Sequence, residues 1–149
     1  YILKVSRAFA PEHCIANFFD MVGICHLVLP ERSLIRPGAM IAGGDSHTQM
    51  AGAFGAYAAG YGATDMVGIL VAGETWMAVP ETIRVTLDGR LPRGLSAKDI
   101  MLNLCKRLGL DNAFKVFEYD GAAVAAMSMH ERMVLCNMTG AAYSVRPRD

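Results

Sequence analysis

The chain is short of charge. Asp, Glu, Lys and Arg make up only 19% of its 149 residues, where about 25% is usual. Fourteen basic residues offset fourteen acidic ones, leaving no net charge. No basic stripe breaks that balance, which argues against nucleic acid or an anionic membrane surface as a partner. The low-charge stretch Gly52–Ala63 is mostly Gly and Ala and too short to cross a bilayer. The four cysteines, Cys14, Cys25, Cys105 and Cys136, form no Cys-x-x-Cys pair. They read as buried, reduced thiols in a cytoplasmic protein, or a mitochondrial-matrix one in a eukaryote; two disulfides are the alternative, with no secretory signal to support them. Internal repeats and low-complexity tails are missing too. The chain starts at Tyr1 and ends at Asp149 without a closing element, so a piece of a longer protein is expected.

Apolar residues, by contrast, are plentiful at 53%. The length suffices for one domain with its own core, and the surplus predicts surface covered by another domain or chain. Short apolar runs alternate with helical patterns, the mark of an α/β domain with a largely covered sheet. Weak alternation predicts a strand over residues 1–6. Pro11 at a first-turn position predicts a helix to Met21 with Ile15, Phe18 and Phe19 inward. Ile24–Leu29 reads as a buried strand, and Ala39–Ala42 as a second one ending at Gly43-Gly44. Residues 51–63 hold ten Gly or Ala among thirteen, with Phe54, Tyr57 and Tyr61 at helical spacing. Thr64 is placed to cap a helix over 65–72 that Gly73 ends.

Further on, Glu81–Leu87 alternates as a strand into the Asp88-Gly89 turn. Ser96 and Asp99 open a capped helix that Gly109 stops. Phe114–Tyr119 is another strand, and Ala122–Cys136 reads as one helix with Ala125, Met129, Met133 and Cys136 inward. Trp76 and the ten methionines read as packing.

The densest polar cluster in apolar surroundings is Asp45-Ser46-His47-Thr48, after a strand and two glycines and before a helical pattern. Ligands collect at the carboxyl ends of strands in open α/β sheets, and a helix N-terminus favours an anion. A carboxylate or phosphate ligand fits that place; the plainer reading has Asp45 and Ser46 capping the helix. The tripeptide is not a Ser-His-Asp triad, because adjacent residues on an extended segment point in alternating directions and no Gly-x-Ser-x-Gly elbow exists. A hydrolytic metal site on Asp45, His47 and His26 is a further reading. His13 and His130 read as surface residues.

Several blocks resemble the aconitase superfamily of iron–sulfur hydro-lyases. They are GGDSHTQMAGAFGAYAAGYGATD at 43–65, VPETIRVTLDGRLPRGLSAKDIML at 79–102, SMHERMVLCNM at 128–138 and GICHLVLPE at 23–31. In style they are most similar to isopropylmalate dehydratase and homoaconitase large subunits, over roughly 23–140. The resemblance implies a three-layer aconitase-type α/β domain, with a mixed or parallel sheet covered by helices, and the dehydration and rehydration of a hydroxy polycarboxylic acid resembling isopropylmalate, homocitrate or citrate. It implies a [4Fe–4S] cluster whose one iron without a protein ligand acts as a Lewis acid, and further domains or a small subunit as partners. It assigns catalytic roles to His47, Asp45 and His26, substrate contact to Ser46, and a place near the cluster to Asn137.

The chain departs from the family's pattern in three ways. The three cluster cysteines lie beyond the Cys-Asn-Met motif, so no metal ligand is expected in this chain, Cys136 included. The swivelling domain, with its substrate-binding arginine and its serine base, and the N-terminal segment that adds further active-site residues are expected to lie outside these 149 residues. The glutamate three positions after Met138 is also missing, since Thr139-Gly140-Ala141-Ala142 follows instead. A non-catalytic binding or scaffold paralogue that kept the fold is therefore the alternative reading.

Overall fold

The computed structural model describes residues 1–109, 111, 112 and 114–138, together with the backbone of 143–145. Among these residues one mixed sheet carries helices, as expected of an α/β chain. Strand β1 (Met40–Gly43) runs parallel to β2 (Tyr57–Gly60), and β3 (Glu81–Thr86) runs parallel to β4 (Lys115–Asp120). Strand β5 (Tyr143–Val145) joins the halves, antiparallel to β2 and parallel to β4, in the order β1-β2-β5-β4-β3. The antiparallel joint brings the carboxyl ends of β1 and β2 to the edge where β3 and β4 begin.

The helices are α1 (Ile2–Glu12), α2 (Cys25–Glu31), α3 (Ala63–Ala72), α4 (Ala97–Leu108), α5 (Ala122–Ala126) and α6 (Met129–Asn137), with a 3₁₀ helix at Thr48–Phe54. Helix α4 starts where Ser96 and Asp99 form a capping box, carries Lys106 and Arg107 in its last turn, and stops at Gly109. Its Met101 is fully buried with Tyr119 and Leu135, and the Tyr119 hydroxyl donates to the Met101 thioether at 3.3 Å. These residues join Val85, Phe117, Met133 and Cys136 in the main core, and a smaller cluster gathers Ile35, Ala51, Ala56 and Ala58.

Between β4 and α5 the chain turns at Gly121, whose φ of +105° favours glycine. A Cβ there would stand 2.9 Å from the Leu87 carbonyl carbon. The close approach lets Leu87 accept a hydrogen bond from the Ala123 N–H at 3.0 Å while its own N–H donates to Asp120 at 2.8 Å.

Several expectations fail. Residues 1–6 lie in α1 rather than a strand, and Pro11 stands in the last turn of that helix rather than its first. Ile15 and Phe18 are exposed, and Phe19 is half-buried against the Arg32 guanidinium. The run at 24–29 is mostly α2, not a strand; an apolar stretch of that length fits either, and no periodicity separates them. The helix expected over 51–63 is a 3₁₀ turn that ends at Gly55 (φ +76°), followed by β2. Glycine costs a helix interior about 1 kcal/mol, so this Gly-rich stretch gains more by pairing with β1.

Gly62 rather than Thr64 is the cap residue of α3, which Gly73 does end. Val67, Leu70 and Val71 on that helix are exposed, as are Trp76 and Val79; Trp76 is 87% exposed and is not packing. Of the cysteines only Cys136 is buried; Cys14 and Cys25 are exposed and Cys105 is half-buried.

The helix expected over 122–136 breaks at Met127, whose backbone is extended. Ser128 then starts α6 with a second capping box: its hydroxyl accepts the Glu131 N–H, and the Glu131 carboxylate takes the Ser128 N–H at 2.8 Å. Met133 and Cys136 point inward as expected, but Val124 is buried in place of Ala125, and Met129 is exposed. Ser128→Ala is expected to lower stability by about 1 kcal/mol. In urea the midpoint should fall with the slope unchanged; an unchanged midpoint would show that the box does not hold α6.

Candidate active site

The site forms where β1 ends. Gly43 and Gly44 release the chain from the sheet, and Asp45, Ser46 and His47 make the loop into the 3₁₀ helix. One oxygen of Asp45 organises it. Oδ1 accepts the His47 backbone N–H at 2.7 Å and lies 2.7 Å from His26 Nε2. The His47 N–H first, and His26 second, hold the Asp45 carboxyl below its ordinary value. An ionised carboxylate only accepts hydrogen bonds, so His26 carries a proton on Nε2.

His26 reaches Asp45 from α2, with its ring largely buried while half of the Asp45 side chain is open to solvent. Because the Asp45 carboxyl is depressed, whatever stability it contributes is present above the ordinary carboxylate range near 4 and is lost as pH falls through its lowered value. Solvent screening keeps that contribution small.

The His47 ring approaches His26 edge-on, with centroids 6.4 Å apart. Its Nδ1 lies 3.4 Å from the Asn137 carbonyl oxygen, at the end of α6. A carbonyl only accepts, so Nδ1 is the protonated nitrogen in this long contact. The Asn137 side chain donates to the Met50 thioether at 3.4 Å. Three elements thus bring together His26, Asp45, His47 and Asn137, four of the five residues singled out from the sequence. The fifth, Ser46, is exposed at the loop tip.

Two corrections follow. The 3₁₀ helix spans only Thr48–Phe54, and its first N–H groups are already taken: the His47 N–H by the Asp45 carboxylate, the Thr48 N–H by the Asp45 carbonyl at 3.3 Å. The expected anion site at a long helix N-terminus is therefore not formed. Neither Asp45 nor Ser46 caps the helix as anticipated: the cap residue is His47, which receives no side-chain cap, and Asp45 instead takes the His47 N–H within the loop. The hydrolase reading fails on donor geometry, since no three His, Cys, Asp or Glu among the described residues are arranged to hold a metal ion. Burial pushes the Cys136 thiol up to about 12, far from the thiolate a metal requires. The departure at 139–142 lies outside the described residues.

Sequence reasoning missed Thr48 and Met50 as supports. Thr48 is buried and its hydroxyl donates to the Asp45 carbonyl at 2.8 Å. A hydroxyl in a stretch otherwise rich in Gly and Ala was the available signal.

The model of the Aconitase family (aconitate hydratase) matches residues 5–149, beyond the 23–140 that carried the resemblance. The chain is 45% identical to 3-isopropylmalate dehydratase large subunit 1 of Methanopyrus kandleri, over 98% of this chain and 36% of that protein. It is 44% identical to the probable methanogen homoaconitase large subunit of Methanothermobacter thermautotrophicus, over 91% and 32%. With the 3-isopropylmalate dehydratase large subunit of Geotalea uraniireducens the identity is 50%, over 91% and 32%. The chain spans about a third of the length of these curated relatives. By the match over nearly its whole length, the chain belongs to the aconitase family.

Proposed function

We propose that this chain forms one wall of the active site of a hydro-lyase. The reaction removes water from, and returns it to, a hydroxy polycarboxylic acid resembling isopropylmalate, homocitrate or citrate. The observation that carries this reading is the single Asp45 oxygen tying His26 to the His47 loop, on a rim where Asp45, Ser46 and His47 are all exposed. Relatives named as dehydratase and homoaconitase large subunits supply the reaction class.

Dehydration breaks a C–O and a neighbouring C–H bond, so one proton must reach the leaving hydroxyl and another must leave carbon. His47 suits the first task. Cationic His47 keeps its Nδ1 proton toward the Asn137 carbonyl and offers its Nε2 proton to the hydroxyl. After donation the neutral ring keeps the same Nδ1 contact, so it need not reorient before rehydration reverses the step. Asp45 fixes His26 beside it, and Ser46 at the loop tip is positioned to touch substrate. The base that takes the carbon-bound proton belongs to another part of the enzyme.

Family membership implies a [4Fe–4S] cluster in the working enzyme. Among the described residues no group of donors suits it, and burial keeps the Cys136 thiol protonated, so the cluster would be held by cysteines outside these residues. A small subunit is part of the same proposal, in keeping with relatives named as large subunits. In the full-length enzyme, His47→Ala is expected to lower kcat by about 10²–10⁴-fold while Tm stays within a few degrees. Parallel loss of folding and activity would contradict the assignment.

A further inference from the structure

Two glycines stand side by side at the strand ends beneath the site, paired in register: Gly43 of β1 and Gly60 of β2. A Cβ on Gly60 would stand 2.7 Å from the Asp45 carbonyl oxygen. A Cβ on Gly43 would stand 2.8 Å from the Thr48 Cγ2 and closer still to its hydroxyl. Neither glycine has a left-handed φ, so what they supply is room rather than backbone freedom. Their neighbours differ. At Gly44 the nearest atom would be Met66 Cγ at 3.6 Å, and at Gly62 the Asp65 Oδ2 at 3.4 Å. Of these four, the two without room for a methyl are the two that lie against the loop atoms holding Asp45.

The Asp45 carbonyl is held from both sides. The Thr48 hydroxyl donates to it at 2.8 Å and the Thr48 N–H at 3.3 Å, while on the Gly60 side it occupies the space a Cβ would need. The strand end behind is fixed by the Tyr61 N–H, which donates to the Gly43 carbonyl at 2.8 Å. A backbone carbonyl clamped this way cannot swing aside as a side-chain tip would. We propose that Gly60 is a positioning residue: by carrying no side chain it lets the Asp45 carbonyl seat against β2, which places the Asp45 carboxylate between the His47 N–H and His26 Nε2.

A carbon–oxygen contact usually lies at about 3.3 Å, so a methyl at Gly60 drives the Asp45 carbonyl back by roughly 0.6 Å. Both hydrogen bonds to Oδ1 are already 2.7 Å long and hang from the same residue. The catalytic consequence rests on the function proposed above; the geometric one does not.

The test is Gly60→Ala in this chain, read by proton NMR of the His26 Nε2–H, assigned through His26→Gln. The parent should show this proton protected from solvent exchange by Asp45. In Gly60→Ala its exchange should speed up at least about tenfold, with the circular dichroism of the fold retained. A folded Gly60→Ala protein with unchanged exchange overturns the proposal. Should the variant not fold, Thr48→Val removes the donor on the other side of the same carbonyl; accelerated exchange there supports the clamp, and unchanged exchange overturns it. In the full-length enzyme Gly60→Ala should then lower kcat by about 10²-fold with a smaller change in KM. Lost protection with unchanged kcat would leave the positioning standing and contradict the proposed function.

Discussion

One carboxylate oxygen holds the site together. Asp45 Oδ1 accepts from a backbone N–H two residues on and from an imidazole nineteen residues back, so a turn within one loop and a tertiary contact with α2 share a single acceptor. Two donors at one oxygen favour the ionised carboxylate, which in turn fixes the proton on His26. The neighbouring His47 takes its orientation from a different source, the backbone carbonyl at the end of α6. The site is therefore a meeting of three independently anchored elements, and loosening any one changes the distance between the two rings.

The rest of the fold delivers those elements. The antiparallel joint between β2 and β5 lets a helix that follows β4 return to the edge where β1 ends. Gly121 turns the chain out of β4 against Leu87, and the Ser128–Glu131 box sets where α6, which ends at Asn137, begins. The core around Met101, Tyr119 and Leu135 sits behind this arrangement. Exposed apolar groups on α3 and around Trp76 accord with a chain that spans about a third of its relatives' length.

Much of the site was legible in the sequence because its chemistry is concentrated. Asp45, Ser46 and His47 are contiguous polar residues in an apolar, Gly-rich stretch, and the family blocks carried His26 and Asn137. The strand expected over 81–87 was legible through alternation and the helix at 97–108 through its capping box, while the strand expected over 114–119 is found at 115–120, with Phe114 exposed just before it. Other segments were not, for physical reasons. An apolar run such as Ile24–Leu29 satisfies a short helix or a strand equally, and only tertiary contact decides. Phe54, Tyr57 and Tyr61 kept helical spacing by coincidence, while glycine propensity and pairing with β1 decided otherwise. The break at Ser128 was readable, since Ser-x-x-Glu marks a helix start. The role of Gly60 was not, because nothing local shows that another segment's carbonyl comes to rest on it.

The central claim is that Asp45 is an ionised carboxylate pinned by two donors. The most direct measurement is a carbon-13 NMR titration of the Asp45 carboxyl in this chain, with His26→Gln beside it. The account predicts a midpoint below the ordinary aspartate value of about 3.9, moving up toward it when His26 is replaced. A midpoint at or above the ordinary value, unmoved by His26→Gln, would mean that the pair does not exist in solution.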